Sequence, residues 1–128
     1  MKPVWIVDDD KSIRWVLEKT LSREQIPFKS FASASEALAQ LDLGAEPPQV
    51  LVSDIRMPVM DGMALVRAVH ERKFAIPIIL VSGFVDAGLR WAHGLGVEAL
   101  MEKPLTRKDL LLALEHLLTE SSYTTDSL

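Results

Sequence analysis

Three aspartates in succession, Asp8, Asp9 and Asp10, follow directly on the apolar run Val4-Trp5-Ile6-Val7. Carboxylates this close repel one another, and a strand end offers too little water to relieve them fully, so the cluster needs a cation or a protonated partner. The same arrangement returns along the chain. Val50-Leu51-Val52 runs into Ser53-Asp54, Ile78-Ile79-Leu80-Val81 into Ser82, and Ala99-Leu100-Met101 into Glu102-Lys103-Pro104. Several carboxylates in a chain without cysteine favour a hard divalent cation held through oxygen, most simply Mg²⁺. A lysine and a hydroxyl suit phosphate oxygens. Together these groups match what phosphoryl transfer requires, with the carboxylate left over by the cation as nucleophile.

The elements that must position these residues are legible in the apolar pattern. The runs at 4–7, 50–52, 78–81 and 97–101 are continuous rather than alternating, which suits strands buried on both faces. Phe28 to Phe31 is a weaker fifth candidate. Ile13, Val16, Leu17 and Leu21 share a helical face behind a Ser12 or Asp10 cap. Ser33-x-x-Glu36 reads as a capping box ahead of Ala37, Leu38 and Leu41. Gly62 opens a stretch with Met63, Val66 and Val69 on one face, and Thr106-x-x-Asp109 starts a helix with Leu110, Leu111, Leu114, Leu117 and Leu118 inward. The segment 86–96 reads as a weaker helix, since each interior glycine such as Gly88 costs about 1 kcal/mol against alanine. Residues 120–128 show no periodicity and read as a flexible tail or the start of a linker. Strand and helix alternating five times imply an α/β fold with a doubly wound parallel sheet. Such sheets bind ligands beyond the carboxyl ends of the strands. The pattern therefore predicts that Asp8, Asp9, Asp54, Ser82 and Lys103 converge.

Composition sets outer limits. A chain of 128 residues fits one domain, here 1–119 plus the tail. With 48% apolar residues, 25% charged residues and a net charge of −4, it reads as an ordinary globular protein lacking the basic footprint of a nucleic-acid or anionic-membrane binder. The absence of cysteine excludes disulfides and thiol chemistry. The N-terminus resembles neither a signal peptide nor a membrane span, and a soluble cytoplasmic protein is the expectation.

The motifs Asp8-Asp9-Asp10, Ser53-Asp54-Ile55-Arg56-Met57-Pro58-x-Met60-Asp61-Gly62, Ser82 and Lys103-Pro104 resemble the receiver domain of two-component response regulators, and most of all the NtrC (nitrogen-regulation) type. The resemblance spans about residues 4–118 and implies a flavodoxin-like fold with strand order 2-1-3-4-5. It further implies that Asp54 accepts a phosphoryl group from a phosphohistidine on a partner kinase. Asp9 would then ligate Mg²⁺ directly, Asp8 largely through water, and Arg56 through its backbone carbonyl. Ser82 and Lys103 would meet the phosphoryl group, with a cis Lys103-Pro104 peptide aiming the lysine. The domain would be a phosphoacceptor rather than an enzyme, catalysing only its own phosphoryl uptake and loss. Phosphorylation would switch the face made by the 86–96 helix, the last strand and the Thr106 helix, which also offers a homodimer contact. Its output, on its own chain or a separate one, would be transcription. Two positions depart from the family pattern. Leu100 stands where an aromatic ring is usual, which puts an aromatic rotamer switch in question, and Phe84 stands where many relatives have a polar residue. Regulators of the NtrC type continue into an ATPase and a DNA-binding domain. Nothing past residue 119 could be either, so the expectation is a piece of a longer regulator or a single-domain one.

Blander readings stand beside these. Asp10 suits a helix cap as well as a site. Trp5, Trp15 and Met63 fit packing roles, Trp91 fits either packing or partner contact, and His70, His93 and His116 lack ligand spacing. A phosphatase resembling the haloacid dehalogenase group would use Asp8-x-Asp10 with Asp8 as nucleophile, although the chain lacks a later acidic pair and length for a cap domain. An inert interaction module of the same fold is the third alternative.

Overall fold

A computed structural model of the chain describes residues 2–82, 97–102 and 108–115. Five strands, β1 (Val4–Val7), β2 (Phe28–Phe31), β3 (Val50–Asp54), β4 (Ile78–Ser82) and β5 (Val97–Glu102), form one parallel sheet in the order β2-β1-β3-β4-β5. Helices α1 (Lys11–Arg23), α2 (Ala34–Asp42) and α3 (Gly62–Glu71) lie between strands, and a further helical stretch covers 108–115. This is the doubly wound parallel sheet that the apolar pattern predicts, in the flavodoxin-like strand order that the family resemblance implies.

The continuous apolar strands are explained by the two faces they serve. Successive side chains point to opposite sides of a strand. Val4 and Ile6 of β1 join Val50, Val52, Ile79 and Val81 in a core under α1 and the 108–115 helix, with Leu17, Leu21, Leu110 and Leu114 inward. Trp5 and Val7 join Leu51, Ile78 and Leu80 in a second core under α2 and α3, with Leu38, Leu41, Leu65 and Val66 inward. Trp5 is 1% exposed and packs against Phe31 in a tilted pair, 4.9 Å between centroids with 58° between the ring planes.

Helix starts follow the cap residues. Asp10 caps α1, accepting from the backbone N–H groups of Ser12 and Ile13 at 2.8 and 3.2 Å. Ser33 accepts from Glu36 N–H, while the Glu36 carboxylate takes the N–H of Ala32 rather than that of Ser33 itself. Asp61 caps α3 through Ala64 N–H. The three helix ends share one geometry. Gln25, Gly44 and Lys73 follow the C-caps in the left-handed region (φ 58, 91 and 62°), and each donates to a carbonyl three residues back. The next residues, Ile26, Ala45 and Phe74, donate to carbonyls five back, which completes the pattern that closes helix C-termini.

Two expectations for α1 need correction. Trp15 is 58% exposed and Val16 44%. The inward stripe is Ile13, Leu17, Thr20 and Leu21, and Trp15 lies roughly 160° around the helix from Leu17 at 3.6 residues per turn. Thr20 tolerates burial because its hydroxyl donates to the Val16 carbonyl at 2.9 Å. Trp15 instead lies beneath the Lys19 ammonium, 5.5 Å from the ring centroid. Leu111 is only half buried, whereas Leu110 and Leu114 are buried as expected. The expected 86–96 helix with Trp91, the Thr106 cap, Leu117, Leu118 and the 120–128 tail lie outside the described residues.

Candidate functional site

Strand register brings the acidic residues level. Val7 of β1 pairs with Ser53 of β3, so the next residues along the two strands are Asp8 and Asp54. Both continue the alternation of Val4, Ile6, Val50 and Val52 and therefore share one side of the sheet. One strand over, Asp54 pairs with Val81, so the β4 strand reaches Ser82 beside the loop leaving Asp54. β4 and β5 end together, with Ser82 paired to Glu102.

Carboxylate oxygens of Asp8, Asp9 and Asp54 all lie within 4.8 Å of one another, Asp8 and Asp54 buried and Asp9 exposed. At an effective dielectric near 20 and that spacing, two carboxylates repel by on the order of 3 kcal/mol. Three hard oxygen donors on two adjacent strand ends suit a hard divalent cation, which would relieve that repulsion. The donor set could hold such a metal.

The corner carrying Asp8 and Asp9 is only three residues long and is pinned by side chains. Asp8 Oδ1 accepts from Asp10 N–H at 2.8 Å, and Asp8 N–H donates to the Phe31 carbonyl of β2 at 3.1 Å. The Arg14 guanidinium reaches back from α1 to the Asp8 carbonyl at 2.6 Å. Asp10, occupied as the α1 cap, belongs to the support of the corner rather than to the carboxylate trio.

The corner after Asp54 is held mainly by backbone, with one side-chain hydroxyl. Ile55 N–H donates to the Val81 carbonyl at 3.0 Å, the Ser53 hydroxyl donates to the Asp54 carbonyl at 2.9 Å, and Gly62 N–H donates to the Ile55 carbonyl at 2.7 Å. A Cβ on Gly62 would sit 2.4 Å from the Asp54 carbonyl oxygen and 2.9 Å from Ile55 Cα, so glycine is required there by contact. Val59 occupies a γ-turn at φ 68°, fully exposed, with Met60 N–H donating to the Pro58 carbonyl. The Arg56 side chain is exposed.

Of the residues expected at the site, the structure brings together Asp8, Asp9 and Asp54 and puts the backbone of Ser82 at the same edge of the sheet. The side chains of Ser82 and Leu100 lie outside the described residues, as do Lys103, Phe84, His93 and His116. His70 is exposed on α3, away from the trio of carboxylates. The sequence reading overlooked Arg14. Its signal was a cation one turn into the helix that follows the acidic run.

Residues 4–115 match the family model of the response regulator receiver domain. The chain is 38% identical over 118 residues to the DNA-binding transcriptional regulator NtrC of Proteus hauseri, covering 91% of this chain and 24% of that protein. It is 43% identical over 83 residues to the C4-dicarboxylate transport transcriptional regulatory protein DctD of Rhizobium meliloti, covering 65% of this chain and 18% of that one. The fold superimposes on the chemotaxis protein CheY4 of Vibrio cholerae with a TM-score of 0.82 at 30% identity, over 91% of this chain and 98% of that one. The chain thus spans a quarter or less of the length of the NtrC and DctD relatives. No helix among the described residues is long and apolar enough to cross a membrane.

Proposed function

We propose, from the premise that the chain belongs to the response regulator receiver domain family, that Asp54 is the phosphoacceptor of a two-component switch. The observation that carries this reading is the meeting of three carboxylates from two adjacent strand ends, with the buried Asp54 among them. An Asp54 carboxylate oxygen attacks the phosphorus of a phosphohistidine on a sensor kinase. The P–N bond breaks as the P–O bond forms, the histidine nitrogen leaves and takes up a proton, and an acyl phosphate remains on Asp54. Bound Mg²⁺ supplies the positive charge that lets an anionic nucleophile approach an anionic phosphoryl group.

Asp9 would hold that cation directly, Asp8 through water, and Arg56 through its backbone carbonyl. The Ser82 hydroxyl and the Lys103 ammonium bind phosphoryl oxygens, the lysine as a compact charge. The phosphate adds about −1.5 to −2 charge at this edge of the sheet. Ser82 moves toward it, and the face assigned by the family resemblance to residues 86–96, β5 and the 108–115 helix changes its population between two arrangements. With Leu100 in place of an aromatic residue, this transition runs through Ser82 alone, while Phe84 screens the phosphoryl group from water. The domain acts on no substrate beyond its own carboxylate. It works in the cytoplasm as residues 1–119, and the switched face passes the signal, with or without homodimer formation, to an output that controls transcription. That output is suggested by the names of the NtrC and DctD relatives.

Acetyl phosphate with Mg²⁺ tests the reading, followed by peptide mapping of the labelled carboxylate. Label on Asp54, abolished in Asp54→Asn, is expected. Label on Asp8 would mark a phosphatase of the haloacid dehalogenase kind, and no label an inert module.

A further inference from the structure

We infer that Arg14 is a positioning residue for the cation-holding corner, fixing the direction in which Asp9 presents its carboxylate. The inference rests on the reading of Asp8, Asp9 and Asp54 as a Mg²⁺ site. Arg14 is half buried one turn into α1, and its Nη1 donates to the Asp8 backbone carbonyl at 2.6 Å. That carbonyl belongs to the peptide joining Asp8 to Asp9. The peptide is planar, so a charged donor holding its oxygen also holds the Asp9 amide and limits the rotation that would swing the Asp9 side chain away.

The other bonds of the corner serve its neighbours. Asp8 Oδ1 takes Asp10 N–H, Asp8 N–H goes to Phe31, and Asp10 Oδ1 takes the first N–H groups of α1. The Asp9 side chain takes part in none of these, and Asp9 is the exposed member of the trio. Its placement relies on the peptide before it, and Arg14 is the side chain that grips that peptide.

A positioning role and a purely electrostatic one have opposite signs. A guanidinium that only neutralised the carboxylates would compete with a divalent cation, and its removal would tighten Mg²⁺ binding, by about fivefold at most for a solvent-screened charge. A guanidinium that orients the Asp9 peptide does the reverse. Loss of a group that orients a metal ligand typically weakens affinity by about 10- to 100-fold.

The test is calorimetric titration of the intact chain with Mg²⁺ alone, with no phosphodonor. Arg14→Ala should weaken binding about tenfold, and Arg14→Lys, which keeps a donor able to reach the carbonyl, should recover most of the loss. In metal-free protein the Asp9 and Asp10 amide resonances should shift in Arg14→Ala and stay near wild type in Arg14→Lys. If Arg14→Ala does not fold, Arg14→Met keeps the aliphatic stem without the donor and is read the same way. Unchanged or tighter Mg²⁺ binding in the variant without the donor overturns the positioning role. Wild-type affinity in Asp9→Asn would instead overturn the metal site beneath it.

Discussion

Two corners at the same edge of the sheet bring carboxylates together by different physical means. Between β1 and α1 the chain turns in three residues, and side chains hold it: Asp8 on Asp10 N–H, Asp10 on Ser12 and Ile13 N–H, Arg14 on the Asp8 carbonyl. Between β3 and α3 it takes seven residues, 55–61, and backbone-to-backbone bonds from Ile55 and Gly62 do most of the fixing, with the Ser53 hydroxyl and the Asp61 cap beside them. The first corner should tolerate changes that preserve donors and acceptors. The second should tolerate changes of polarity at its exposed tip but no added atom at Gly62.

The largest expected effect is at that glycine. Gly62→Ala places a Cβ 2.4 Å from the Asp54 carbonyl oxygen, and since the atoms it meets are backbone of the Asp54–Ile55 peptide something must shift. A loss of about 1–3 kcal/mol in urea unfolding is expected, as for other overpacked sites, with slower phosphoryl uptake at the displaced Asp54. A variant as stable as wild type would show that the second corner yields more readily than its contacts imply.

In the first corner, Asp10→Ala removes the α1 cap and should cost about 1 kcal/mol, while Asp10→Ser should retain most of it. Equal losses for both variants would mean that the carboxylate charge, not its hydrogen bonds, supports the corner. Val59→Gly works in the opposite direction. Relief of a β-branched residue at φ 68° outweighs the added freedom of the unfolded chain, so a gain of up to about 1 kcal/mol is expected. A loss of stability there would remove strain from the description of the second corner.

The smallest effect lies away from both corners. Arg72 grips Asp42 with two hydrogen bonds at 2.8 and 3.0 Å, tying α3 to α2, and this bond holds the Asp42 carboxyl below its usual range. A depressed carboxyl contributes stability above the unfolded-state pKa of about 3.9 and loses it as the pH falls through the lower folded value. Wild type should therefore exceed Asp42→Asn slightly near neutral pH and converge with it in acid. A gap that persisted below that range would point to packing rather than charge.

Much of the fold was legible because the physics of its elements is local. The continuous apolar runs at 4–7, 50–52 and 78–81 could be read as strands because each is buried on both faces, and the caps at Ser33 and Asp10 follow from side chains that mimic backbone acceptors. Convergence of Asp8 with Asp54 was legible too, since a parallel sheet levels its strand ends. The rest depended on tertiary detail. Trp15 looked like a packing residue by type, but its angle around α1 turns it to solvent. Arg14 could not be told from any surface arginine until the turn of the corner put a carbonyl within its reach. The left-handed caps at Gln25 and Lys73 are carried by residues that do not advertise them, whereas Gly44 does. Phe84 and the Leu100 side chain lie outside the described residues, so their part in the proposed switch rests on chemical type alone.

The most direct test of a shared site is Mn²⁺ titration followed by amide NMR, with Mn²⁺ standing in for Mg²⁺. Resonances of Asp8 to Asp10 and of Asp54 and Ile55 should broaden together at the same substoichiometric Mn²⁺, and recover together when excess Mg²⁺ is added. Broadening confined to one corner, or spread over the acidic surface without recovery, would contradict a single cation held between the two strand ends.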